Sequence, residues 1–257
     1  MNSTLSSSSA ALPGTPAGSS GSSGPAGASV GVPPLARVTM ALTGALLAGV
    51  ATSFGQAVPG LGTVSNSAGP WFVVAALLVL ASGVGRGAGV AERAGVAERA
   101  GVAGRASGRV GRLRVALAMV LGAVLLELMH IGYWAATNLR GFVDTLSITS
   151  FWVVVALPAG LLAGAVAVAV RSADGRWRGA AAGVTAAVLI GEGVRGLLQV
   201  AATTGSATWI VQIAVGIAVL VVGIALARTP VGRVVALGTG IVGSVAVAVV
   251  YVGIALV

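Results

Sequence analysis

A chain of 257 residues in which 56% of side chains are apolar and 8% are charged lacks the polar groups needed to cover a water-facing surface. Its mean hydropathy of +1.01 belongs to a protein whose outer face meets lipid. The net charge of +9 is carried by arginine alone; with no lysine, no cysteine and one histidine, lysine Schiff bases, P-loops, thiolate catalysis, disulfides and Cys- or poly-His-ligated metal sites are all excluded.

In chain order, residues 1–36 are Ser, Gly, Ala and Pro with hardly a large apolar side chain, which predicts a disordered tail. The first 34 residues hold no charge, so the basic start of a secretory signal is missing and the tail is expected to be retained. Residues 37–257 read as a transmembrane helical domain. Apolar stretches fall at about 38–56, 71–85, 113–134, 151–170, 179–200, 209–227 and 232–255. Most have the roughly 20 residues that cross a hydrocarbon core, and backbone groups in lipid must pair within their own segment. The fold class expected is therefore all-α, a polytopic bundle of about seven spans. The second stretch is short and is expected to extend into the glycines after Val84.

Thirteen of the fifteen arginines fall on one side if the tail is cytoplasmic, so the chain is placed in the cytoplasmic membrane with its N-terminus inside and C-terminus outside. Residues 86–112 form the Arg-rich inner loop of that topology. Within it the hexapeptide Gly89-Val-Ala-Glu-Arg-Ala recurs from Gly95 and, imperfectly, from Gly101. It reads either as a basic amphipathic helix on anionic lipid or as a repeat expansion that need only be soluble and positive. No aromatics interleave with its arginines, which argues against nucleic acid as a partner.

Strongly polar side chains inside the hydrocarbon zone each need a reason, because insertion costs about 2.5–3.5 kcal/mol. The third span carries Glu127, His130 and Trp134, and the fifth carries Glu192, Arg195 and Gln199, at the same i, i+3, i+7 spacing that puts each set on one helix face. Both glutamates lie about 20 Å in from the cytoplasmic edge. Turning the stripes toward each other predicts Arg195 shared between Glu192 and Glu127, with His130 extending the network. Gln56 ends the first span and Gln212 begins the sixth. The loop Gln56–Trp71 is uncharged and broken by Pro59, Gly60, Gly62, Gly69 and Pro70, which suits a compact loop dipping toward the bundle, with Asn66 able to line a site. Arg140 and Asp144 are spaced to pair at the surface.

The candidate polar cluster is thus Glu127, His130, Glu192, Arg195, Gln199, Gln56 and Asn66. Two readings stay open: binding or transport of a small polar solute or proton from the outside, and a structural or accessory protein in which the same groups fasten helices, as Gly191, Gly193 and Gly196 beside the stripe suggest. Catalytic templates fail. Glu127-Leu-Met-His130 occurs once where a di-metal helix site needs it twice, His-Glu-x-x-His is absent, and no nucleotide fingerprint follows a strand. An enzyme acting on a lipid-soluble substrate is the less favoured alternative, with no motif to support it; no cofactor is expected, and the lipid bilayer is the expected partner.

Ser53-Phe54-Gly55-Gln56, Pro59, Asn66-Ser67-Ala68-Gly69-Pro70-Trp71 and Gly191-Glu192 resemble a family of unknown function made of small multi-pass actinobacterial membrane proteins. The resemblance covers about residues 38 to 225. It implies a bacterial inner-membrane protein and brings no activity.

Overall fold

The computed structural model describes residues 33–58, 60–65, 67–86 and 103–254. Nearly all of the expected tail, Asn66 and most of the hexapeptide repeat lie outside these residues. The rest is helical: α1 Pro34–Gly55, the single turn α2 Gly62–Ser65, α3 Ala68–Ser82, α4 Ala103–Leu139, α5 Phe151–Val170, α6 Gly175–Arg195, a π-helical turn Gly196–Val200, the short α7 Ala201–Thr204, α8 Ala207–Leu226 and α9 Pro230–Ile254. Six helices are long and apolar enough to cross a membrane, and α3, at 15 residues, is the shorter seventh.

Three boundaries differ from expectation. Helix α1 starts at Pro34, inside the expected tail, because proline is well suited to a first helical turn where its missing N–H has no bond to make. Helix α3 does not run on past Val84; it ends at Ser82, where Gly83 adopts φ +76 and closes the helix in the left-handed conformation. The Arg-rich loop is shorter than 86–112, because α4 already begins at Ala103 and continues unbroken into the span.

Helix α3 is the hub. Its Phe72, Ala75, Ala76 and Val79 are buried, and it packs against α1, α4, α5 and α6. Helices α1 and α5 flank α4, while α8 and α9 flank α6. Small residues set the helix spacing. At the α4–α5 crossing a Cβ on Gly122 would lie 2.2 Å from the Gly160 carbonyl oxygen, and one on Gly160 would lie 2.4 Å from the Ala123 Cα, so only glycine permits this backbone approach. The outward faces of α8 and α9, with Val211, Val221, Leu226, Val234, Val242 and Val245, are exposed aliphatics of the kind lipid solvates.

At 1.5 Å per residue α3 is about 22 Å long, short of a hydrocarbon core of about 30 Å. Both its ends are held by side chains from other helices. Arg171, just past α5, donates from Nη2 to the Leu80 carbonyl in the last turn of α3. A cation there complements the negative end of the helix dipole. Arg171→Ala is expected to cost about 1 kcal/mol, read as a lowered unfolding midpoint in detergent. An unchanged midpoint would show that the contact contributes nothing.

Candidate functional site

The N-terminus of α3 is held by Glu192. Ser67 is the N-cap residue, but its side chain does not cap its own helix. Instead the Glu192 carboxylate, 1% exposed, accepts from the backbone N–H of Ala68 and of Gly69, each at 2.6 Å, and from Gln212 Nε2 at 2.9 Å. Ser67 Oγ lies 2.7 Å from both Glu192 Oε2 and Gln212 Oε1 and completes the cluster. The second amide hydrogen of Gln212 goes to the Leu189 carbonyl at 3.3 Å. A Cβ on Gly69 would sit 2.9 Å from Glu192 Oε2, so glycine is what lets the helix end come this close.

This geometry overturns the expected network. Glu192 needs no guanidinium, because two unpaired helical N–H groups, a hydroxyl and an amide already supply donors to its oxygens, and the positive end of α3 favours an anion at that point. Arg195, one turn further on, points elsewhere: its Nε donates to Gln199 Oε1 at 3.1 Å and its guanidinium lies over the Tyr251 ring at 4.7 Å. Glu127 is not part of the cluster either. Helices α4 and α6 make no extended contact; each packs on α3 and α5 instead, so their polar stripes are never opposed. Glu127 is half-buried on α4 between the exposed Val124 and Ile131, and its Oε1 has no hydrogen-bond partner among the described residues.

His130 and Gln56 belong to a second grouping. A pocket opens between α3, α4 and α5, lined by Ser65, Ser67, Ala68, Trp71, Leu126, His130, Tyr133, Trp152, Val155, Ala156 and Ala159. Gln56 Nε2 donates to Tyr133 Oη at 2.9 Å, and the Tyr133 ring meets Trp71 edge-on at 6.1 Å, which fixes one wall. Among the described residues His130 makes no hydrogen bond, so its imidazole is available to an occupant. The Gly122–Gly160 crossing and the Gly164–Ala118 contact lie beyond the pocket, toward the N-terminal end of α4 and the C-terminal end of α5.

The candidate cluster read from the sequence leaves out Ser67, Gln212, Trp71, Tyr133 and Trp152, although Gln212 stands out there as the polar residue that begins its span. Two signals could have found the first pair. Ser67 stands directly before an apolar run, where helix caps occur, and Gln212 is the one long polar side chain in α8. Trp134 leaves the expected stripe and donates to the Asp144 carbonyl at 2.9 Å. Arg140 does not pair with Asp144; it donates to the Ser53 carbonyl and lies between the Phe54 and Phe142 rings, at 5.5 and 5.1 Å. That carbonyl belongs to the last turn of α1, where a cation is favoured.

A family model for proteins of unknown function, DUF6518, matches residues 99–256, more than half of the chain. The chain belongs to this family. The match takes in α4, α5, α6, α7, α8, α9 and Gly191-Glu192, while the phrases from Ser53 to Trp71 lie outside the matched residues, so it sits further toward the C-terminus than the resemblance suggested. No curated protein and no solved structure matches the chain.

Proposed function

We propose that the chain is a multi-pass integral membrane protein of the cytoplasmic membrane that binds a small amphiphilic molecule in the pocket between α3, α4 and α5. The observation that carries this reading is the lining itself. Trp71, Trp152, Tyr133, Leu126, Val155, Ala156 and Ala159 offer mostly apolar and aromatic wall, with Ser65 and the unengaged His130 as the few polar groups, the Ser67 hydroxyl being taken by Glu192 and Gln212. Such a balance suits an occupant with one hydrogen-bonding group on an apolar body. The glycine contacts beyond the pocket support binding over conduction. The arginine distribution supports an N-terminus inside and a C-terminus outside, which makes the pocket outward-facing.

The test is a titration of the purified full-length chain with a panel of small phenols, amines and medium-chain alcohols, followed by tryptophan emission. Trp71→Phe and Trp152→Phe assign the signal. Ala159→Phe, which fills the pocket, is expected to abolish the response, and His130→Ala to weaken it about tenfold, the worth of one good hydrogen bond. A response that survives Ala159→Phe, or no saturable response anywhere in the panel, sinks the reading.

A structural or accessory role is the second reading, and the Glu192 cluster favours it. Every acceptor and donor there is spent on fixing α3 to α6 and α8, with nothing left to offer a solute.

A further inference from the structure

We propose that Arg195 forms a site for an oxyanion, the phosphate of a lipid headgroup or free phosphate, on the outer flank of the α6–α9 pair. The residue is half-buried and its guanidinium is held on two sides: Nε donates to Gln199 Oε1 at 3.1 Å, and the plane rests on Tyr251, whose ring in turn meets Phe151 at 6.3 Å. These contacts fix the fork but use only Nε and the face. The Nη nitrogens have no hydrogen-bond or ion-pair partner among the described residues. The nearest acid along the helix, Glu192, is turned toward α3 with its oxygens taken by Ala68, Gly69, Ser67 and Gln212. The free edge of such a guanidinium can donate two parallel N–H bonds to one anion.

The position suits a lipid phosphate. Arg195 stands about 5 Å beyond Glu192 toward the outer end of α6, within reach of headgroups for a side chain that snorkels. One residue on, Gly196 packs beneath Trp209; a Cβ there would be 2.1 Å from the indole ring. Leu198, 80% exposed in the following π-helical turn, presents apolar surface beside the guanidinium for an acyl chain.

The experiment uses the full-length chain purified in a neutral detergent and incubated separately with phosphatidylglycerol, phosphatidylcholine and inorganic phosphate, with bound molecules counted by native mass spectrometry. Wild type is expected to hold phosphatidylglycerol about tenfold more tightly than Arg195→Gln, the scale of a charge-assisted hydrogen bond. Arginine-dependent binding confined to the lipids identifies a headgroup as the source; the same dependence with inorganic phosphate identifies a free anion, and the site stands in either case. Arg195→Lys keeps the charge and loses the fork, so it carries the test if Arg195→Gln does not fold, again with a loss of about tenfold expected. Wild-type binding by the folded Arg195→Gln in all three arms, or by Arg195→Lys, overturns the proposal.

Discussion

Glu192→Leu is expected to be among the most damaging substitutions in the chain, lowering stability by about 3–5 kcal/mol. The leucine fills a similar volume but removes the acceptors of two backbone N–H groups, Ala68 and Gly69, and one partner each of Ser67 and Gln212. Each donor left unsatisfied in a buried setting costs about 1–3 kcal/mol. Glu192→Gln keeps one acceptor oxygen and directs an amide toward other donors, so it should recover only part of the loss. The measurement is unfolding of the detergent-solubilised protein by heat or by a denaturing detergent. A Glu192→Leu midpoint close to wild type would mean that the cluster does not hold α3 in place. Because Glu192 holds Ser67 and Ala68, which line the pocket with His130, the same variants bear on both readings of function: a purely structural protein loses stability alone, whereas a binding protein also loses the wall that Ser67 and Ala68 contribute.

The second large effect is expected at the α4–α5 crossing. A Cβ on Gly164 would fall 2.1 Å from the Ala118 carbonyl oxygen and 2.5 Å from the Met119 Cα, both backbone atoms that cannot rotate away. Gly164→Ala must therefore push α4 and α5 apart, at a cost of about 1–3 kcal/mol, and a larger side chain would do more. The control is Gly238→Ala on α9, where a Cβ would meet nothing within 4 Å; its stability should stay within about 0.5 kcal/mol of wild type. Comparing the two variants in one assay distinguishes packing from any general effect of removing a helical glycine. Equal midpoints for both would show that the crossing tolerates separation. Spreading the helices also alters the end of the pocket nearest this crossing, so Gly164→Ala should shift the apparent affinity of any pocket ligand as well as the melting profile.

Much of this architecture was legible from hydropathy. The seven apolar stretches correspond one to one to α1, α3, α4, α5, the α6–α7 run, α8 and α9, because lipid leaves the backbone few choices and rewards long apolar runs. Glu192 also stood out as a buried acid that needed a partner, and the loop before Trp71 does reach the bundle, since Ser67 is 1% exposed. The partners were not legible. Helical spacing puts Glu192, Arg195 and Gln199 on one stripe, but it does not say which neighbour that stripe meets. Neighbours follow from how Gly49, Gly122, Gly164 and Gly183 let particular helices close up, a pairing spread across the whole chain. The assumption that an acid at depth requires a base also failed at Glu192 for a physical reason: an open helix end is itself a donor, and the sequence pattern does not advertise where one helix stops beside the flank of another. For α4, the glycines and arginines between Ala103 and Arg112 lower the apolar signal, so the helical extension read as loop.

The cap on α3 also constrains the order of assembly. Ser67 and the carboxylate it meets are 125 positions apart in the chain. Synthesis runs from the N-terminus, so α3 emerges long before the residue that neutralises its leading end, and Arg171, which secures the other end, comes only 91 positions after Leu80. Until α5 and α6 have been made, the shortest span has neither mooring. A chain truncated ahead of α6 lacks its anion by construction, and the central helix of the finished bundle is among the last to reach its native surroundings.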